Sequence, residues 1–303
     1  MSLSLPDEVA SLAALNAPFG VRTTYRVGGS AAALISVTSR EDLDRIVASL
    51  RDVNPIFVLG NGSNTLVADA GFAGVVLSLS GEFEELATEE LGDGSFRVRA
   101  GAALDLPVAA RRLAEAGIGG FAWAVGVPGT FGGAAVMNAG GHGSDMAHAV
   151  ESVEVWRLDE GRIESWPLER LQYAYRHSAL SSRDVVVSVT LHLPASSRDE
   201  TVEEMREIVR WRREHQPGGA NAGSVFQNPP DTSAGALIEK SGLKGFRQAS
   251  ASVSEKHANF IQADPGGSAD DVWRLIRHVH DVVLAQTGVY LKTEIRFVGF
   301  QPW

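Results

Sequence analysis

The distribution of glycine constrains this chain more than any other feature. Its 32 glycines gather in a few stretches instead of spreading evenly through the 303 residues. GNGSNTL (60–66) follows the apolar run PIFVLG, and the densest stretch, GIGGFAWAVGVPGTFGGAAVMNAGGHG, covers 117–143. Glycine reaches positive φ and lets other atoms approach the backbone closely. Successive N–H groups in such a loop form an anion-binding nest, to which Ser63 and Asn64 add side-chain donors. A tight turn without a ligand accounts for one such loop. Two in one domain, about 55–65 residues apart, favour a bound cofactor that carries phosphate. A glycine-rich helix start in the second stretch would admit a pyrophosphate. Neither loop has the GxGxxG spacing of the dinucleotide fingerprint or the GK[ST] ending of a P-loop, so ATP chemistry through these motifs has no support.

Composition narrows the classes. A formal net charge of −10 argues against a broad nucleic-acid groove, and the 44% hydrophobic and 21% charged content is that of an ordinary globular chain. With no cysteine, disulfides, thiolate catalysis and cysteine-ligated metals are excluded. The eight histidines form no clustered motif, so no metal site is expected. MSLSLPDEVASLAAL lacks a positive region and is broken by Pro6, Asp7 and Glu8, so no secretory signal is expected. No window approaches the ~20 apolar residues of a membrane span. These features predict a cytoplasmic protein without nucleic-acid or membrane partners.

The patterning predicts an α+β chain. Residues 3–15 read as a short helix or a disordered lead-in. YRVGGSAAALISV (25–37) predicts two strand segments joined at Gly28-Gly29. Ser39 and Asp42 flank a helix start with Leu43, Ile46, Val47 and Leu50 as its apolar stripe. PIFVLG and GVVLSL predict strands around the first glycine loop, and SFRVRAG a strand with one wet face. A helix is predicted over 104–116, ended by Gly117 in the left-handed conformation. AVESVEVWRL and VVVSVTLHL predict strands on either side of LQYAYRHSAL (171–180). PASSRDE reads as a linker and places a domain boundary near 195–200. Beyond it come a helix at about 201–215, a short helix at 234–240, and a turn then strand in VSEKHANFIQAD. A helix capped by Ser268 and Asp271 follows, ending near Gly288, and YLKTEIRFVGF is a final alternating strand.

Seven segments in this order, YRVGG, LGNGSNTLVAD, VPGTFGGAAVMNAG, YAYRHS, AGSVFQNP, SEKHANFI and LKTEIRFVG, resemble the UDP-N-acetylenolpyruvoylglucosamine reductase family over about residues 19–300. The resemblance implies an FAD-binding fold of the vanillyl-alcohol-oxidase/PCMH type in two subdomains (1–80 and 81–198). A smaller α+β substrate domain (199–290) and a C-terminal strand (291–303) returning to the active site complete it. The implied reaction is NADPH-dependent reduction of UDP-N-acetylglucosamine enolpyruvate to UDP-N-acetylmuramate in peptidoglycan synthesis, through non-covalent FAD. Gly60, Asn61, Gly62, Ser63 and Asn64 would cradle the flavin nucleotide, with Val127, Pro128, Gly129, Thr130, Gly133, Asn138, Ala139 and Gly140. Only about 20 residues separate YAYRHS from the linker, which resembles the shorter subtype without an extra substrate-capping loop.

That chemistry needs stabilisation of a developing negative charge and a proton delivered to carbon. By itself Ser224 reads first as a turn serine bonded to backbone; it has no local histidine partner and no GxSxG elbow. The resemblance makes it the proton donor. Arg176, between Tyr175 and His177, offers a planar donor fork to a carboxylate or simply stacks on tyrosine; the resemblance makes it the charge clamp. Glu294 alternates with Lys292 and Arg296, a solvated edge by pattern and an active-site group by resemblance. A carboxylate beside an enolate is either protonated or works with Arg176. Tyr175, Asn228, Lys256, His257 and Asn259 resemble substrate-facing residues. Gln227 stands where many members carry lysine; if that lysine contacts phosphate, either binding is weaker here or Lys256 or Arg247 compensates. Two other readings share these residues. One is an FAD oxidase or dehydrogenase tethering its flavin through His142 or His148, and the other is a non-enzymatic nucleotide-binding protein. A monomer is expected, with a dimer left open.

Overall fold

The computed structural model describes residues 5–301; the first residues of the expected lead-in and the last two of the C-terminal segment lie outside the described residues. The chain divides into two compact units. The first comprises Met1–Ala14, Ala33–Gly60 and Gly74–Arg212, the second Leu15–Ala32, Asn61–Ala73 and Arg213–Trp303. The division runs between Arg212 and Arg213, inside a helix, and not at the polar linker near 195–200. Two short early segments also join the second unit, because residues distant in sequence share its core.

Strands β1 (Ala13–Pro18), β2 (Ser30–Val37), β3 (Ile56–Leu59) and β5 (Phe72–Leu79) form a four-stranded sheet in the order β1-β2-β5-β3, with β3 and β5 parallel. Between β3 and β5 lies the short β4 (Thr65–Val67). Helix α1 (Arg40–Ser49) covers this sheet with the predicted stripe. Leu43, Ile46, Val47 and Leu50 are buried with Ile35, Val75 and Leu77. Ser39 caps it by accepting the Asp42 N–H at 3.1 Å.

The larger sheet of the first unit is antiparallel. Its strands are β6 (Leu86–Glu90), β7 (Ser95–Gly101), β8 (Val150–Arg157), β9 (Arg162–Pro167) and β10 (Asp184–Pro194), in the order β9-β8-β10-β7-β6. One face packs on α2 (Leu106–Glu115) and α3 (Phe131–Met137) through Val98, Ala100, Val153, Val155, Val189 and Leu191. Strand β10 changes face midway. Val185 and Val187 join the core beneath α1, while Val189 and Leu191 face α2 and α3. The register explains it: Glu154 pairs with Ser188 and Val155 with Val186, leaving Val187 as an extra residue. A bulge shifts a period-2 pattern by one and sends the same apolar string to two cores. Strands β6 and β9 escaped the sequence reading because their exposed residues carry no alternation of apolar type.

Helix α4 (Arg198–His215) begins within the expected linker. In the second unit, strands β11 (Arg247–Gln248), β12 (Ala251–Val253) and β13 (Ile261–Ala263) form a meander. Helix α6 (Ala269–Thr287) packs on it with Val272, Leu275, Ile276, Val279 and Val283. Helix α5 (Ala234–Lys240) is the predicted short helix. Ser268 caps α6, and Gly288 ends it with φ 72°. Two strand expectations are corrected. Tyr25–Gly29 is not a strand: Gly28 has φ 109°, and the Gly29 N–H bonds to the Ala68 carbonyl at 2.9 Å. The final alternating run narrows to β14 (Arg296–Val298), which pairs parallel with β4.

Candidate active site

The site residues fall into two groups, one in each unit. In the first unit, Gly60 ends the strand run and meets the second glycine stretch. A Cβ on Gly60 would lie 2.5 Å from Thr130 Oγ1, so only glycine lets the two segments touch. Thr130 is the N-cap of α3. The start of that helix is not an open anion site, contrary to the sequence expectation. The Phe131 N–H donates to Leu104, the Gly132 N–H to Ala102 at 2.8 Å, and the Gly133 N–H to Thr130 Oγ1. Val127 is half-buried and Pro128 exposed. Gly129 directs its N–H to Val127 O at 2.9 Å, and Gly133 lies open on the surface of α3.

Asn138, expected to hold cofactor, is only 2% exposed and adopts a left-handed conformation with φ 43°. Its Nδ2 donates to Ala174 O at 3.1 Å and Asp145 Oδ2 at 3.2 Å, and its Oδ1 accepts the Ala147 N–H at 3.0 Å. Asn138 is thus engaged inside the fold and supports the turn that carries Arg176. The backbone of Ala139 is engaged similarly, with Ala134 and Met146. Gly140 accepts from Arg176 Nη2 at 3.1 Å.

Arg176 sits at the tip of a two-residue turn in which Ala174 and His177 exchange both backbone bonds. Its φ is 55°, uncommon for a residue with a side chain. The guanidinium lies 5.1 Å from the ring centroid of Tyr175, which is 55% exposed. This is the stacked arrangement that the sequence offered as one alternative. His142 and His148 are exposed near this turn, and His148 Nδ1 approaches Asp145 Oδ1 at 2.6 Å.

In the second unit, Asn61–Asn64 complete the first glycine loop. Gly62 has φ 60°, and a Cβ there would lie 2.8 Å from Thr23 Cα. The N–H groups of Gly62, Ser63 and Asn64 have no acceptor among the described residues. Consecutive unengaged N–H groups around a left-handed glycine make an anion nest, so this loop fits a phosphate of FAD. Asn64 has a further role. Its Nδ2 donates to Glu294 O at 3.0 Å, and its carbonyl accepts the Arg296 N–H at 2.9 Å, fixing the C-terminal strand to the loop.

The Glu294 N–H in turn donates to Val225 O at 2.8 Å, which puts Glu294 beside the segment bearing Ser224. The Ser224 hydroxyl is half-buried and makes no hydrogen bond among the described residues. Gln227 N–H bonds to Lys292 O, continuing the same pairing. Among the residues expected to face substrate, Asn228 accepts the Ala234 N–H at 3.0 Å and serves the start of α5. Lys256 Nζ donates to Arg213 O near the end of α4. His257 Nδ1 accepts the Asn259 N–H at 3.2 Å, and burial lowers its pKa, keeping the ring neutral. Asn259 is corrected: it is 3% exposed and bonds to Phe226. Asn221, absent from the sequence-based candidates, shapes the approach to Ser224 by accepting the Gly223 N–H at 3.0 Å. Its place before Ala-Gly-Ser, with an Asx-turn donor two residues on, was the available signal.

A larger α+β unit with a glycine-mediated contact between Gly60 and Thr130, and a smaller α+β unit whose loop fits a phosphate, point to the class of FAD-binding oxidoreductases. Residues 31–165 match the FAD binding domain family, and residues 215–298 match the UDP-N-acetylenolpyruvoylglucosamine reductase C-terminal domain. The chain belongs to the UDP-N-acetylenolpyruvoylglucosamine reductase family. It is 40% identical over 290 residues to UDP-N-acetylenolpyruvoylglucosamine reductase 2 of Symbiobacterium thermophilum, covering 94% of this chain and 92% of that relative. It is 41% identical to the reductase of Heliobacterium modesticaldum, covering 93% and 89%. The crystal structure of the Thermus caldophilus reductase superposes with a TM-score of 0.79 at 34% identity, covering 98% of this chain and 99% of that one. No helix among the described residues is long and apolar enough to cross a membrane.

Proposed function

We propose that this chain uses NADPH and FAD to reduce UDP-N-acetylglucosamine enolpyruvate to UDP-N-acetylmuramate in peptidoglycan synthesis. The observation that carries the reading is the Ser224 hydroxyl, without a protein partner and one residue from the backbone bond to Glu294. Bound FAD would supply the hydride, drawn from NADPH, that adds to the terminal vinyl carbon of the substrate. Negative charge then collects on the neighbouring carbon and the carboxylate. Arg176 holds that carboxylate with its fork, which a point charge cannot imitate. Ser224 gives its proton to the carbon, completing the addition of two electrons and two hydrogens across the double bond. Glu294 stands beside the developing charge and is either neutral or offset by a cation. Tyr175 lies against the substrate, with Lys256 on the rim of its site. Gly60, Asn61, Gly62, Ser63 and Asn64 would hold the flavin nucleotide, together with the surface at Val127, Pro128, Gly129 and Gly133. The reaction runs in the cytoplasm, on a monomer.

The test is the absorbance of the purified protein. A yellow protein that NADPH bleaches, and whose colour returns only when UDP-N-acetylglucosamine enolpyruvate is added, is expected. Acid should release the flavin into solution. Colourless protein, or colour that the substrate fails to restore, rejects the reading. Flavin that stays on the chain after acid points instead to a tethered oxidase.

A further inference from the structure

Asn259 imitates a neighbouring strand with a single side chain. Its Oδ1 accepts the Phe226 N–H at 3.0 Å, and its Nδ2 donates to the Phe226 carbonyl at 2.8 Å. Its own carbonyl accepts the Val225 N–H at 2.9 Å. The opposite edge of the same segment is held by the C-terminal run. Glu294 N–H donates to Val225 O, Gln227 N–H donates to Lys292 O, and Phe226 bridges Thr293. The segment Val225–Gln227 is therefore gripped from both sides, directly after Ser224. Since the Ser224 hydroxyl has no protein bond of its own, its position is set by this backbone alone.

On the reductase reading given above, we propose that Asn259 is a positioning residue that fixes Ser224 and Glu294 relative to each other. Only an uncharged amide of this length fills the place. Aspartate keeps the shape and the acceptor but loses the donor to Phe226, and leucine loses both. The side chain is buried, so no water replaces a lost bond cheaply. The grip on Ser224 and Glu294 passes through the backbone of Val225 and Phe226.

The experiment uses the holoenzyme carrying Asn259→Asp, which is nearly isosteric, and Asn259→Ala beside it. Ser233→Ala, which removes a cap of α5 in the same unit, controls for general loss of stability. Hydrogen exchange at the amides of Val225, Phe226 and Glu294 should speed up in both Asn259 variants and not in the control. Stopped-flow should show flavin reduction by NADPH within about twofold of the parent. Reoxidation by the enolpyruvyl substrate should fall on the order of 100-fold, in kcat more than in KM, as misplacement of a reacting group by about 1 Å costs. Unchanged exchange at those amides overturns the proposal, as does an equal fall in both half-reactions. A parent enzyme that does not reoxidise with the substrate rejects the reductase reading, while the exchange data still decide whether Asn259 holds the segment.

Discussion

At the scale of single residues, the proposed mechanism divides the chemistry between the hydroxyl at 224 and the guanidinium at 176, and each has its own expected signature. Ser224→Ala should leave flavin reduction by NADPH intact and slow the substrate half-reaction by about 100-fold or more, the usual worth of a positioned proton donor. Stopped-flow absorbance separates the two steps, and equal loss in both refutes the role. Arg176→Lys keeps the charge and accepts the same left-handed turn, but loses the fork and the bond to Gly140. A loss of about 1.5–3 kcal/mol in kcat/KM is expected, the worth of a charge-assisted hydrogen bond; an unchanged kcat/KM refutes it. Both residues could be singled out in the sequence because each lies in a short distinctive motif. The engagement of Asn138, Asn228 and Asn259 was not legible there. An asparagine next to a glycine loop reads the same whether its amide faces a ligand or a backbone group 33 or 36 residues away.

At the scale of elements, the glycine loop and the helix caps set what can change. Gly62→Ala forces a side chain into a left-handed conformation, with its Cβ 2.8 Å from Thr23 Cα. The conformation alone costs about 1–2 kcal/mol. Thermal unfolding should shift down accordingly, and flavin should be retained less tightly, measurable as release on dilution. A melting temperature and flavin retention equal to the parent would show that the loop is not held as described. Asp69 acts on α6, accepting from the N–H groups of Ala269 and Asp270 and from the Ser268 hydroxyl. Its replacement by alanine should cost about 1 kcal/mol, the ordinary worth of an N-cap, read in denaturant unfolding. The caps at Ser39 and Ser268 were visible in sequence because capping is local. The glycine-rich start of α3 was visible too, but not that its first N–H groups are engaged, because their partners Leu104 and Ala102 lie far back in the chain.

At the scale of the whole molecule, stability in acid depends on ion pairs that join distant segments. Glu154 on β8 receives Arg40 from α1, Arg99 from β7 and the Ser188 hydroxyl from β10. Burial by itself would raise its pKa. The bonds from Arg40, Ser188 and Arg99 outweigh that and hold it at about 2, against an ordinary 4.5. The folded value lies below the unfolded one, so the stabilisation is complete above pH 4.5 and is lost as pH falls toward 2. Glu154→Gln should therefore lower the melting temperature at neutral pH and flatten its fall between pH 4.5 and 2. A parallel acid limb in parent and variant would exclude Glu154 from the acid response.

The sequence by itself determined the longer helices and the apolar strands, the caps, the two glycine loops and the motifs that carry Ser224, Arg176 and Glu294. Each of these depends on local propensity, on a period of 2 or 3.6, or on a short string. Only the tertiary structure decided which polar groups are free. It left the N–H groups of Gly62–Asn64 open and closed those of α3; it turned Asn138 and Asn259 inward and sent β10 to two cores through one bulge. A buried polar group must find a partner wherever the chain supplies one, and that partner is set by packing between residues far apart in the chain, which no local pattern encodes.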